Sequence, residues 1–257
     1  FIVNSDGKGT KSVSFDGAIT SGGKLIIGNK SKITFGSTYD GSGHTGGMLL
    51  NGSNTTLTVN SADDSTFLKA DSSITTADAS TGHKIIINGK NVYKGNIITK
   101  NSPLTLTVKK NQSAIGTIAM GSGNLNLALA DAVTSVKFAV NKDSDWGTGN
   151  VVITGAADNE VAFGTDNTAI TTAQLAQITI AGGEAAINSS GQISANQILV
   201  STFNNAGGDN LWSNAANWSA GIPTVDTAKI TVTADLIVDS SKTCLLYTSP
   251  SPRDPWT

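Results

Sequence analysis

The sequence predicts an all-β protein: a parallel β-solenoid (β-helix) with one short helix near residues 171–178, followed by the truncated start of a second β-rich unit. Three observations lead there. Gly, Ser, Thr and Asn fill about 111 of the 257 positions, while charged residues supply 14%, roughly half the usual quarter. Aliphatic residues fall in short alternating clusters about every 8 to 12 residues, the spacing of short strands joined by tight turns. That spacing alone suits a β-sandwich equally well, and a sandwich is the competing architecture. The third observation is a repeat, and it favours the solenoid, in which each coil stacks on the one before it.

The repeat is clearest in two early segments. Gly22-Gly23-Lys24-Leu25-Ile26-Ile27-Gly28, then Lys32-Ile33-Thr34-Phe35, aligns without a gap at an offset of 24 with Gly46-Gly47-Met48-Leu49-Leu50-Asn51-Gly52, then Thr56-Leu57-Thr58-Val59. Thr105-Leu106-Thr107-Val108 repeats Thr56-Leu57-Thr58-Val59 two offsets on, preceded by Ile97-Ile98 as Leu49-Leu50 precede the earlier copy. Gly123-Asn124-Leu125-Asn126-Leu127, then Val136-Lys137-Phe138, reads as a looser copy. Strict alternation places Leu104, Leu106 and Val108 on one side and Thr105 and Thr107 on the other. Aliphatic residues would then stack inside, hydroxyl and amide residues outside, with Gly and Asn at the corners. At ~4.8 Å per coil, eight coils would span roughly 40 Å.

Later elements follow in order. Thr171-Thr172-Ala173-Gln174-Leu175-Ala176-Gln177-Ile178 offers Thr171 as N-cap and Gln174 three residues on, the pattern of a capping box. Leu175 and Ile178 would share one face, and so short a helix must dock on something. Strands resume at Ala185–Asn188 and Gln197–Phe203. The polar cluster Asn204-Asn205-Ala206-Gly207-Gly208 reads as a boundary. The expected division is a solenoid unit over 1–203, its closing module at about 134–194, and the start of a second unit over 204–243 with strands at Ala228–Val232 and Asp235–Val238.

Both ends invite comment. The chain begins at Phe1 with no signal peptide before it, as an internal fragment or a processed product would. Residues 244–254, Cys244-Leu245-Leu246-Tyr247-Thr248-Ser249-Pro250-Ser251-Pro252-Arg253-Asp254, resemble the translation of a transposon-type sequencing adapter across all eleven codons. On that reading residues 244–257 are a non-native tail, to be set aside in fold reasoning. The tail holds the only Cys, the only Arg and three of the five Pro. The preceding ~243 residues carry neither a thiol nor a guanidinium.

Trp146-Gly147-Thr148-Gly149-Asn150-Val151-Val152-Ile153-Thr154-Gly155, then Val161-Ala162-Phe163-Gly164-Thr165 and Thr172-Ala173-Gln174-Leu175-Ala176-Gln177-Ile178, resemble the closing module of bacterial autotransporter-associated β-strand-repeat proteins. Asn188-Ser189-Ser190-Gly191-Gln192-Ile193 is similar to that module's last element. Asp209-Asn210-Leu211-Trp212-Ser213-Asn214-Ala215-Ala216-Asn217-Trp218, through Pro223 and Asp226-Thr227-Ala228, is similar to the opening module of β-helical domains in large bacterial surface proteins. Thr168-Ala169-Ile170 before the helix, and the missing aromatic at Ile180-Ala181-Gly182, depart from the pattern. The resemblance implies a secreted or outer-surface bacterial protein. It carries no catalytic residues.

The chemistry on offer is sparse. Net charge is −2, which gives no electrostatic case for nucleic acid or an anionic membrane surface. No apolar run reaches the ~20 residues of a membrane helix. His44 and His83, the only histidines, each sit among Gly and Thr and read as solvated turn residues rather than partners of a nucleophilic serine. Polysaccharide-cleaving β-helices use Arg beside calcium-binding Asp, or clustered Asp with His and basic residues. Here Asp63-Asp64 stands alone, and Glu160 and Glu184, the only glutamates, adjoin turns. Asn141, Asp143 and Asp145 present oxygens at alternate positions, as calcium loops do. However, Trp146 stands where such a loop needs Gly, so a structural turn is the stronger reading; Asp209 with Asp226 is a weaker calcium candidate. Trp212 and Trp218 could stack on sugar rings or plug the open end of the second unit, and the plug is favoured.

The sequence therefore points to a non-catalytic stalk or adhesin-like passenger segment needing no cofactor. Its expected partners are neighbouring repeats of the same chain and surface glycans or host and matrix surfaces. A carbohydrate-binding module using surface aromatics and a polysaccharide-active enzyme are the alternatives. A groove lined by Asp and Lys on one solenoid face would speak for the enzyme, and buried indoles would speak against sugar stacking.

Overall fold

A computed structural model of the chain describes residues 2–3, 9–195, 199–219, 222 and 228–237. The candidates Asp226 and residues 244–257 lie outside the described residues. The chain divides into two units, 1–196 and 197–257.

The first unit is a parallel β-solenoid, so the sandwich is excluded. Each coil contributes a strand to a first face, then to a second, then runs along a third side. The second face stacks eight strands in parallel, from Lys11–Phe15 through Ser31–Phe35, Thr56–Val59, His83–Ile87, Leu104–Val108, Leu125–Leu129 and Val151–Thr154 to Ile178–Ile180. The first face stacks Ile2–Val3, Leu25–Ile27, Met48–Leu50, Ser73–Thr76, Asn96–Thr99 and Ile118–Met120. The third side begins as isolated bridges, Ser21 with His44 and Leu68 with Tyr93. It becomes regular at Gln112–Ile115, Val136–Phe138 and Val161–Phe163.

Alternation explains the core. Val13, Ile33, Leu57, Ile85, Leu106, Leu127, Ile153 and Ile180 form one register row pointing inward. From Ile33 onward every member is buried. The outward neighbours Thr34, Thr58 and Thr107 are part-exposed, as expected of a face with one side in water. Phe15 stacks on Phe35 (5.5 Å), Phe35 meets Phe67 edge-on (4.9 Å), and Phe67 leads to Tyr93 (5.9 Å). Centroid distances in this range are favourable for aromatic pairs.

The repeat is correct in kind and differs in detail. Lys32 pairs with Thr56, the expected 24 positions on. On the first face, however, Leu25 pairs with Met48 and Ile26 with Leu49, a step of 23. The second copy has one more corner residue between the two faces, so the slip is absorbed there and both strands keep their inward residues inward. Ile97 likewise lies in the row of Met48, through Ile74. The looser copy moves by a whole face: Leu125–Leu129 joins the second face and Val136–Phe138 the third side.

The last coils are rebuilt. After Ile118–Met120 the next first-face position is taken by the loop carrying Trp146. The backbone N–H of Met120 donates to Asp145 O, and Trp146 Nε1 donates to Ile118 O. The position after that is taken by the helix Thr172–Ala176. The capping box forms as expected: Gln174 N donates to Thr171 Oγ1 (3.1 Å) and Thr171 N to Gln174 Oε1 (2.8 Å). Ile178 leaves the helix for the second face, where it pairs with Val151. Gly183–Ile187 then folds back antiparallel on Ile178–Ile180 and pairs with Gln192–Ala195, which closes on Val161–Phe163.

In the second unit Leu199–Phe203 pairs in parallel with Ala228–Val232. That strand therefore belongs beyond the division, not at the end of a solenoid running to 203. Of the strand expected at Asp235–Val238, Ile237 bridges Leu211, and Val238 lies outside the described residues.

Candidate functional site

The two histidines are buried, each about 2% exposed, not solvated in turns. His83 begins a second-face strand at an inward position, in the row that continues as Leu104, Leu125 and Val151. An imidazole there needs partners, and hydroxyls supply them. Thr55 Oγ1 lies 2.6 Å from Nδ1 and Ser80 Oγ 2.6 Å from Nε2. Ser80 Oγ reaches Ser102 Oγ (3.0 Å), and Ser102 Oγ donates to Ala77 O (2.6 Å). Ser80 Oγ also reaches Ala77 O (2.9 Å), so both ring nitrogens end on hydroxyls, and the hydroxyls of Ser80 and Ser102 end on one carbonyl. Burial holds the imidazole below its ordinary pKa, as a neutral group.

This serine and histidine imitate a nucleophilic dyad in composition only. Both are buried, and the ring's other nitrogen meets the hydroxyl of Thr55 where a nucleophilic triad places a carboxylate. His44 donates through Nε2 to Gly47 O (3.0 Å), its Nδ1 is buried without a partner, and its carbonyl accepts from Ser72 Oγ.

The calcium candidates do not converge on one point. Asn141 is buried, its Oδ1 accepting from Ile118 N (2.6 Å) and its Nδ2 donating to Ala139 O (2.7 Å). Gln174 Nε2, from the helix, donates to the carbonyls of Asn141 and Ser144 and holds this loop in place. Asp145 Oδ1 accepts from Gly147 N (2.8 Å), and Asp143 is exposed. The loop is the turn that seats Trp146 against Phe163 (5.9 Å).

Trp212 and Trp218 are 4% and 5% exposed and pack edge-to-face at 4.7 Å, with Phe203 on Trp218 at 5.1 Å. A sugar platform needs an open ring face, and these rings offer none. They are the core of the second unit, where Trp218 Nε1 donates to Trp212 O (2.9 Å). Asp209 accepts from Leu211 N and from the amides of Asn214 and Asn217, which hold its carboxyl below the usual range.

Most remaining polar groups stitch coil to coil. Asn88 donates to Asn60, Asn91 to Asp64, and Asn111 to Thr134. Asp63 accepts from Lys90 N and from Lys110 Nζ (3.0 Å), which lower its pKa. Glu160, by contrast, accepts from Ala157 N within its own turn. Gln112, unremarked in the sequence, is fully buried and binds the backbone of two coils.

One surface feature was also missed. An open groove of about 340 Å³ on the first face has Ile98 and Ala119 in its floor and Asp78, Lys100, Asn101 and Asp145 around it. Asn101 Nδ2 donates to Asp78 Oδ1 (2.8 Å), and Lys100 Nζ lies 3.9 Å from Asp78 Oδ2. These residues are far apart in sequence, and only the stacking of successive coils brings them together. Among the described residues no group of three or more His, Cys, Asp or Glu is placed to hold a metal. No protein-family model, curated protein or solved structure matches the chain.

Proposed function

We propose that this segment is a non-catalytic structural or adhesin-like passenger, a stiff stalk piece of a large secreted bacterial surface protein. One observation carries the reading: side chains that could do chemistry are spent on holding successive coils together. His83 is sealed in a hydroxyl chain, Asn141 is consumed by backbone, and Asp63 and Asp64 are tied to the next coils. An enzyme leaves such groups open to substrate. A stalk uses them to resist pulling.

Force spectroscopy on the full chain tests this. Coils should yield one or a few at a time, each releasing about 7–10 nm for the 20 to 28 residues between paired strands. Extension without force peaks would overturn the stalk reading, as would release of reducing ends from polysaccharides incubated with the protein. The groove on the first face favours a second reading, carbohydrate binding, in which the solenoid also presents a ligand site.

A further inference from the structure

The outer side of the first face is more apolar than that of the second. The second face turns mostly Thr, Lys and Asn outward, with Ile86, Ala128 and Val152 among them, whereas the first turns out the register row Ile26, Leu49, Thr75, Ile98 and Ala119. Apart from the buried Thr75, these side chains are part-exposed. At ~4.8 Å per coil the row runs about 19 Å along the solenoid axis. Thr75 divides the row into two apolar pairs, Ile26 with Leu49 and Ile98 with Ala119, and the second pair lies in the groove. Exposed apolar groups rimmed by polar ones are characteristic of an interaction surface.

We infer that the groove binds a neutral carbohydrate chain. The backbone of these strands is already paired, Asn96–Thr99 with the coils on both sides and Met120 with Asp145. An extended peptide therefore finds no free edge to pair with, and recognition must come from side chains. The rim carries both signs: the carboxylates of Asp78 and Asp145, the ammonium of Lys100 and the amide of Asn101. Hydroxyl groups can donate to the carboxylates and accept from the ammonium and amide at once. Two carboxylates oppose an anionic polymer, and Lys100 beside Asp78 offsets one of them, which leaves the rim close to neutral. The C–H faces of sugar rings suit Ile98 and Ala119. Asp78 and Lys100 are more than half exposed, so water competes for them, and a single contact is weak, with a Kd in the millimolar range. Repetition along a stalk would strengthen it.

The site is additional to the stalk reading and stands or falls separately. Full-length protein labelled with ¹⁵N is titrated with maltohexaose, cellotetraose and mannotetraose, with hexagalacturonate as the anionic comparison. The expected result is saturable shifts at the amides of Ile98, Ala119 and Gly121 with at least one neutral sugar. Binding should weaken about tenfold in Asp78→Ala, the loss of one hydrogen bond to a charged group. Lys100→Ala should weaken it too, with the circular dichroism of both variants unchanged. No saturable shift with any neutral sugar up to about 20 mM, shifts elsewhere on the chain, or preference for hexagalacturonate would overturn the inference. None of these results alters the force trace that tests the stalk.

Discussion

Gln112→Leu is the sharpest test of how the coils are held together. Gln112 has no exposed surface. Its Oε1 accepts from Val92 N (3.1 Å) and Tyr93 N (3.2 Å), and its Nε2 donates to Gly89 O (2.7 Å) and Lys110 O (2.9 Å). Leucine fills similar volume and makes none of these bonds. Two buried N–H groups then lose their acceptor at about 1–3 kcal/mol each, or ~2–6 kcal/mol together. The extra apolar burial returns about 1 kcal/mol, leaving a net loss near 3 kcal/mol. Urea unfolding followed by far-UV circular dichroism should show it as a lower midpoint. Amide exchange should accelerate at Val92 and Tyr93 before it does at Leu125–Leu129. Gln112→Glu keeps an acceptor but sets a second oxygen against two carbonyls. Burial and those carbonyls raise the new carboxyl's folded pKa, so the variant is most stable when protonated and weakens as pH rises above ~4.3. A Gln112→Leu midpoint within ~0.5 kcal/mol of the parent, with unchanged exchange at Val92 and Tyr93, would refute the reasoning.

Other expectations follow from the same geometry. His83 has a depressed folded pKa, so below ~6.5 the unfolded chain takes up a proton that the native state resists. Stability should fall as pH drops from about 7.5 to 5.5, and the Tm difference between those pH values should shrink in His83→Leu. Leu106→Ala empties a fully buried inward position and should cost about 2–5 kcal/mol in urea titrations. Gly123→Ala would set a Cβ 2.4 Å from Ser102 O, whereas Gly22 has only Thr45 Oγ1, at 3.8 Å, near such a Cβ. The first should lose about 1–3 kcal/mol and the second almost nothing, a contrast readable by thermal melts. Thr171→Ala removes the helix cap and should cost about 1 kcal/mol, with exchange rising at Gln174 N.

The residues that announced themselves in the sequence were those governed by local rules. Leu104, Leu106 and Val108 declared their inward side by alternation, and Thr171 and Gln174 declared a helix start by spacing. Helix length was less legible, because Ile178 satisfies helical periodicity as well as it satisfies the strand that claims it. The one-residue slip at Leu25 and Met48 was hidden because aliphatic residues on either side of it align equally well. His83 was misjudged for a different reason. Gly82 and Lys84 beside it suggest solvent, and its burial depends on hydroxyls at Thr55 and Ser80, the first of them a full coil away. The groove residues Asp78, Lys100 and Asp145 were illegible for the same reason. Coil lengths vary, so no fixed offset brings them together before the corners are known.

The antiparallel wrap at the end of the solenoid has a consequence for assembly. Gly183–Ile187 and Gln192–Ala195 each pair with two neighbours and join the second face to the third side. These antiparallel pairings occupy the edges of Ile178–Ile180 and Val161–Phe163 that a further parallel coil would use. The stack consequently has a polarity: a parallel coil could be added at this end only by breaking pairs already made.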